Sequence, residues 1–208
     1  MSSNTLRKIT RQEGILQSFE VLRFATREQL QRIHKLGSDR NALKILNQMK
    51  EYFHIQIHNG MNVYYLNKKG RDTIGSDIEM KWSLQAEHHL LRNELYVHFN
   101  CPKDWRVEHE IVFTPKGLVT TEKRIVADAS FTSTGIFHLL EVDRTQSMAE
   151  NKEKIDVYAE LNPLLYERFN HKPVIIFYTI NELRKKKLEE YCKAKGLKCL
   201  VYTKEDIR

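Results

Sequence analysis

The chain reads as a mixed α/β protein, α+β in its segregation, built from two successive parts. Three features carry this reading. Residues 1–80 show helical spacing in three runs, then a strand–turn–strand pattern. Residues 81–208 read as α-β-β-β-α-β-α-β, the order of an α/β layer around a mixed sheet. Charge is uneven as well. The 208 residues carry a formal net charge of +7. Residues 1–80 hold 13 Lys/Arg against 8 Asp/Glu, and residues 81–208 hold 21 against 19. The first part is therefore the expected contact surface for a polyanion.

In the first part, residues 11–24 place Ile15, Leu16, Phe19 and Leu22 at helical spacing. Thr26 with Gln29 three residues on is a capping-box pattern for a second helix, which Gly37 ends. Ser38 or Asp39 opens a third, with Ala42, Leu43, Leu46, Met49 and Phe53 expected on its buried side. Asn59-Gly60 then sits between alternating strand formers, a strong hairpin signal. Three helices and a hairpin is the order of a winged helix-turn-helix, so residues 1–80 are expected to form one. Its third helix would be the reader. Arg40, Asn41, Lys44, Asn47, Gln48 and Lys50 form its polar face. Arg and Lys address guanine edges or phosphates, and Asn and Gln address adenine. His58, Asn59 and Asn62 on the wing, with Lys68, Lys69 and Arg71 behind it, are the further expected contacts. A small helical domain with a merely solvated polar face has the same pattern.

In the second part, residues 80–99 read as one helix with Leu84, His88, Leu91, Leu95 and Phe99 near one face. His88-His89 is not a zinc motif; one ring is expected in the core and the other toward solvent. Three strands follow at residues 105–113, 123–131 and 135–143, the first two joined by a polar loop over 114–123. Residues 152–169 read as a helix that Pro163 kinks or ends. Residues 172–180 are a continuous apolar run, as a strand covered on both faces should be. A helix capped by Asn181 and stopped by Gly196, and a last strand, complete residues 81–208 as an α/β domain.

Acidic residues interrupt two of these strands: Asp128 in "VADASF" and Glu141 and Asp143 in "LEVDRTQ". The strand order with these acids resembles the restriction-endonuclease-like, or PD-(D/E)XK, fold. That resemblance implies Asp128 as the first acid and Glu141 as the second. Asp143 stands where the fold has its lysine, and Lys152 or Lys154 on the next helix would have to substitute. Asp128, Glu141 and Asp143, with Glu110 as an addition, would then hold Mg²⁺ through oxygen ligands, and Lys154 would complete a catalytic set. Against this stands a plainer reading, in which Asp143 pairs with Arg144 and Asp128 accepts backbone hydrogen bonds.

The two parts together resemble the replication-relaxation family of plasmids and mobile elements of Gram-positive bacteria. The resemblance spans about residues 12–205 and is carried by the expected winged helix, "HHLLRNEL", "VADASF", "LEVDRTQ" and "KEKIDVY". It implies binding of double-stranded DNA linked to plasmid replication, relaxation or transfer, and does not by itself imply cleavage. Three functions follow as expectations: a non-enzymatic DNA-binding protein with no cofactor, a Mg²⁺-dependent endonuclease or nickase, or a transcriptional regulator with a C-terminal dimerisation domain. A homodimer through residues 181–203 is the expected assembly. The run Arg184–Lys187 is read as a solvated helix face. Three widely spaced cysteines make no disulfide framework, and the N-terminal residues show no secretory pattern, so the cytoplasm is the expected compartment and no membrane contact is expected.

Overall fold

A computed structural model describes residues 3–115, 121–144 and 146–207. Residues 116–120, half of the polar loop expected after the first strand of the second part, and Thr145 of the "LEVDRTQ" motif, lie outside the described residues. The architecture is mixed α/β, with helices preceding a five-stranded mixed sheet. The chain divides after Val97 into two units. The expected boundary at residue 80 and this division differ by one helix.

The first unit begins with α1 (Ser3–Leu22), whose Ile15, Leu16, Phe19 and Leu22 are buried. A short strand, β1 (Ala25–Thr26), leads into α2 (Arg27–Ile33). The Thr26 hydroxyl accepts from the Gln29 backbone N–H while the Gln29 side chain accepts from Thr26 N–H, so the capping box forms as its residues predict. Ser38 caps α3 (Asp39–Gln48). Strands β2 (Phe53–His58) and β3 (Met61–Leu66) pair antiparallel, and β1 adds to β3. Asn59 and Gly60 have φ of 49° and 74°. Both central residues of a type I′ turn need positive φ, which asparagine and glycine tolerate best. Asn67 caps α4 (Lys68–Ile74), and α5 (Gln85–His98) follows.

Helix α5 is turned relative to its expected orientation. Ala86, His89, Leu90, Arg92, Asn93 and Leu95 are buried, while Leu84 is 84% exposed. The buried polar residues of this face meet backbone carbonyls at and just after the end of α1. Arg23, at φ 64°, ends α1 and leaves acceptors there. Arg92 donates to Val21 O at 2.8 Å, and Asn93 donates to Leu22 O at 3.1 Å and Phe24 O at 2.7 Å. Gln29 Nε2 donates to Leu90 O at 2.9 Å and to Glu94 at 2.6 Å. Hydrophobic spacing alone does not foresee this, because polar side chains here win burial by satisfying backbone groups that water would otherwise have to reach. His89 stacks on Phe24 with ring centroids 5.6 Å apart, so this ring of the pair does pack inside.

The second unit holds β4 (Arg106–Phe113), β5 (Lys123–Ser133), β6 (Ile136–Asp143), α6 (Met148–Phe169), β7 (Val174–Thr179), α7 (Glu182–Ala194) and β8 (Lys198–Tyr202). The sheet order is β4-β5-β6-β7-β8. The first three strands pair antiparallel, and β6, β7 and β8 run parallel. Helices α6 and α7 supply the crossovers that parallel neighbours require. Strand β7 is buried almost throughout, as its apolar run predicts. Pro163 neither ends nor divides α6, which runs from its Ser147 capping box to Phe169. Ile125, Ala127, Leu139, Ile155, Tyr158, Leu161, Phe177 and Leu188 build the core between sheet and helices.

Candidate nucleic-acid interface and a buried carboxylate cluster

Helix α3 and the two residues after it are amphipathic, with Leu43 the exception. Ala42, Ile45, Leu46 and Met49 are buried, and Arg40, Asn41, Lys44, Asn47, Gln48 and Lys50 are exposed. Leu43, expected inside, is 41% exposed and lies among these polar residues; Ile45 takes the core position instead. Arg40 and Leu43 also line a cleft of about 540 Å³ that Gly60, Met61 and Asn62 of the hairpin close from the other side. Helix face and hairpin tip thus border one concave surface.

Not every expected contact on this surface is available. Asn41 Nδ2 donates to Leu36 O at 2.6 Å, so this amide fastens the turn between α2 and α3. Lys69 pairs with Glu51 and lies over the Tyr52 ring, and Arg71 lies 3.9 Å from Glu79. His58 is half-buried, hydrogen-bonded to Asn59 at 3.1 Å and close to Trp82. Lys68 and Asn62 are exposed.

The acids of the second unit have a different character. Asp128 Oδ2 accepts from the Val142 N–H at 2.7 Å, which fixes this carboxylate against the end of β6. Glu141 is 1% exposed. Lys154 and Tyr158, one helical turn apart on α6, donate to its two oxygens. Burial, and then the charge of Asp128, push the Glu141 carboxyl up to about 8, against the opposing pull of Lys154 and Tyr158. The Tyr158 hydroxyl is itself raised far above its ordinary value by burial and by Glu141.

Asp143, two residues on, is also fully buried but lies at the opposite electrostatic extreme. Asn151 donates to it at 2.8 Å and Thr179 at 2.7 Å. Arg184 donates twice, at 2.8 Å and 2.6 Å, in a bidentate fork. The parallel register sets Asp143 opposite Thr179, which explains that bond. Burial opposes ionisation, yet Arg184, Asn151 and Thr179 outweigh it and hold the carboxyl below its usual range.

Several expectations change here. The ion-pair partner of Asp143 is Arg184, not the adjacent Arg144. Arg184 is therefore no solvated member of its run, and Lys185 is committed to Asp206 at 2.8 Å. Glu110 does not join the acids; it pairs with Arg124 at 3.1 Å on an exposed surface. Lys152 lies over the Tyr191 ring, so Lys154 is the lysine that reaches the cluster. Tyr158, Asn151, Thr179 and Arg184 were not anticipated as its partners. The spacing of Lys154 and Tyr158, four residues apart on one helix face, was the signal for two of the contacts.

As a cation site this arrangement does not fit. Each carboxylate oxygen of Glu141 and Asp143 already accepts from a protein donor, so a cation there would compete with Lys154, Tyr158 and Arg184. Among the described residues no group of three or more His, Cys, Asp or Glu is placed to hold a metal ion. Among the same residues no helix is long and apolar enough to cross a membrane.

No curated protein matches the chain significantly. Among solved structures it is similar to a crystal structure of protein VC1899 from Vibrio cholerae, at 13% identity and a TM-score of 0.41. That match covers 97% of this chain and 53% of the other, so the chain spans about half the length of that protein. The family model described as replication-relaxation matches residues 16–171, across both units. The chain belongs to the replication-relaxation family.

Proposed function

We propose that this protein binds double-stranded DNA through its first unit, acting in the replication, relaxation or transfer of a plasmid or other mobile element, with no catalytic step of its own. In this reading β1 to β3 with α1 to α3 form a winged helix-turn-helix. The observation that carries it is the exposed face of α3, where Arg40, Lys44, Asn47 and Gln48 stand beside the hairpin residue Asn62. Cations that fit phosphate or guanine and amides that fit adenine occur on one helix of groove-entering size. The concentration of positive charge in residues 1–80 supports it.

The non-catalytic part of the reading is supported by the sealed state of Glu141 and Asp143. A carboxylate that must orient water or a metal at a phosphodiester needs an oxygen facing the substrate. Here Lys154, Tyr158 and Arg184 occupy those oxygens from the protein side. Asp128, Glu141, Asp143 and Lys154 act in this reading as fold determinants, and no cofactor is required.

Fluorescence anisotropy with origin-region duplex DNA at several salt concentrations tests the binding. A steep fall of affinity with salt is expected, since each neutralised phosphate contributes about 0.9 to the logarithmic slope. Salt-independent binding, or none, would remove the proposal. Incubation of supercoiled plasmid with Mg²⁺ or Mn²⁺ tests the other part: nicking that disappears in Glu141→Ala would show that the cluster opens and is catalytic.

A further inference from the structure

A second polar groove lies in the second unit, at the far end of β6 and α6 from Glu141. It encloses about 420 Å³. Lys154 lies near the start of α6 and Arg168 near its end, roughly 20 Å apart at the helical rise. The groove is therefore distinct from the carboxylate cluster. Two arginines frame it, Arg106 on β4 and Arg168 on α6, both exposed. Neither has a carboxylate within ion-pair distance among the described residues. Two acids also line the groove, and among the described residues only Glu110 has a cation partner. Asp104 accepts from the Thr132 N–H at 2.9 Å, and Glu110 pairs with Arg124.

The floor of this groove is aromatic. Phe137 and Phe169 stack with centroids 5.1 Å apart, and Phe169 is still 38% exposed. The Arg168 guanidinium sits 5.6 Å from the Phe169 ring. His109 is fixed by a 2.6 Å hydrogen bond to Ser130, so the wall beneath Arg106 is held in place. Arginines without an ion-pair partner among the described residues, one of them lying over the rim of an exposed aromatic stack, make the combination that grips a strand with its bases turned out. The arginines take phosphates, and a ring takes a base whatever its identity. Duplex DNA keeps its bases stacked and cannot use the ring. A small apolar ligand would leave both arginines unanswered.

We infer that the groove between Arg106, Phe137, Arg168 and Phe169 binds single-stranded DNA without sequence preference. This rests on the reading of the protein as DNA-binding, and it adds a second, strand-selective site to the duplex site on α3. A protein of replication or strand relaxation meets unpaired DNA beside duplex, and two such sites in one chain would hold a junction of the two.

The test is anisotropy of the full chain with a labelled twelve-nucleotide oligothymidine, an abasic strand of equal length, and polyglutamate as competitor. Oligothymidine is expected to bind. The paired change Arg106→Gln with Arg168→Gln should weaken it at least tenfold and reduce the logarithmic salt slope by about 0.7 for each cation lost. Phe169→Leu, which preserves apolar packing, should weaken it about 5- to 150-fold, and the abasic strand should bind wild type with a similar loss. Duplex binding should change only with Arg40 and Lys44. The inference is overturned if oligothymidine fails to bind, if the groove variants bind it like wild type, or if polyglutamate displaces it at equal charge concentration. It is overturned too if Arg40→Ala and Lys44→Ala alone abolish oligothymidine binding. Failure of the wild-type chain to bind duplex, with oligothymidine binding intact, would instead defeat the α3 reading and leave this site standing.

Discussion

The exposed face of α3 and the buried end of β6 both gather polar side chains, and they use them in opposite ways. On α3, Arg40, Lys44, Asn47 and Gln48 face solvent, and their interaction energy is available to a partner. On β6, Glu141 and Asp143 spend their hydrogen-bonding capacity within the protein. Burial makes each of those bonds matter more, because a lost partner leaves a desolvated group behind. A solvated side chain loses little when its neighbour goes. Changes at β6 should therefore register as stability, and changes at α3 as affinity.

The largest expected effect is at Asp143. Asp143→Ala strands the Arg184 guanidinium and leaves Thr179 and Asn151 without their acceptor, and should destabilise the chain by about 3–5 kcal/mol. Urea denaturation measures this. A change below about 1 kcal/mol would mean that Asp143 is held for something other than the fold.

Glu141 gives the next effect, and it depends on pH. Its folded carboxyl titrates at about 8 rather than near its ordinary 4.5, so between these values the folded chain keeps a proton that the unfolded chain has released. Unfolding free energy should fall as pH rises through this window, by roughly 1.4 kcal/mol for each pH unit from this group. Glu141→Gln, which keeps an acceptor for Tyr158 and cannot ionise, should flatten that fall. Denaturation at pH 5, 6.5 and 8 compares the two proteins. Parallel curves would show that Glu141 ionises normally in the folded state.

On α3 the readout reverses. Arg40→Ala and Lys44→Ala should each weaken duplex binding by roughly 1–3 kcal/mol if the residue reads a base, with thermal stability nearly unchanged. A phosphate contact would instead weaken all sequences alike and flatten the salt slope. Both variants binding like wild type would erase the contrast with β6. The smallest expected effect is Thr26→Ala, which removes half of the α2 capping box and should cost about 1 kcal/mol of stability without altering the salt slope.

Features set by near neighbours could be read directly from the amino-acid order. The Thr26–Gln29 box, the Asn59-Gly60 turn, the Ser38 cap and the apolar run of β7 each depend on residues a few positions apart. So does the polar face of α3, apart from Leu43. The order of elements along the second unit and its mixed sheet were also legible, because an apolar run covered on both faces and alternating with helices favours a parallel strand; the spatial order of the strands was not legible.

Tertiary structure alone decided which polar groups would be buried together. Asp143 and Arg184 are 41 positions apart, and Arg92 and Val21 are 71 apart. Periodicity treats Arg92 and Asn93 as surface residues, yet they are buried and donate to carbonyls at and just after the end of α1. The same holds for the two acids of β6. Sequence places both on one face of a strand, since side chains alternate. It does not say that one will meet an arginine and the other a lysine and a tyrosine while both acids are buried. Ionisation depends on the desolvation and the charges that each carboxyl meets, and those are properties of three-dimensional packing.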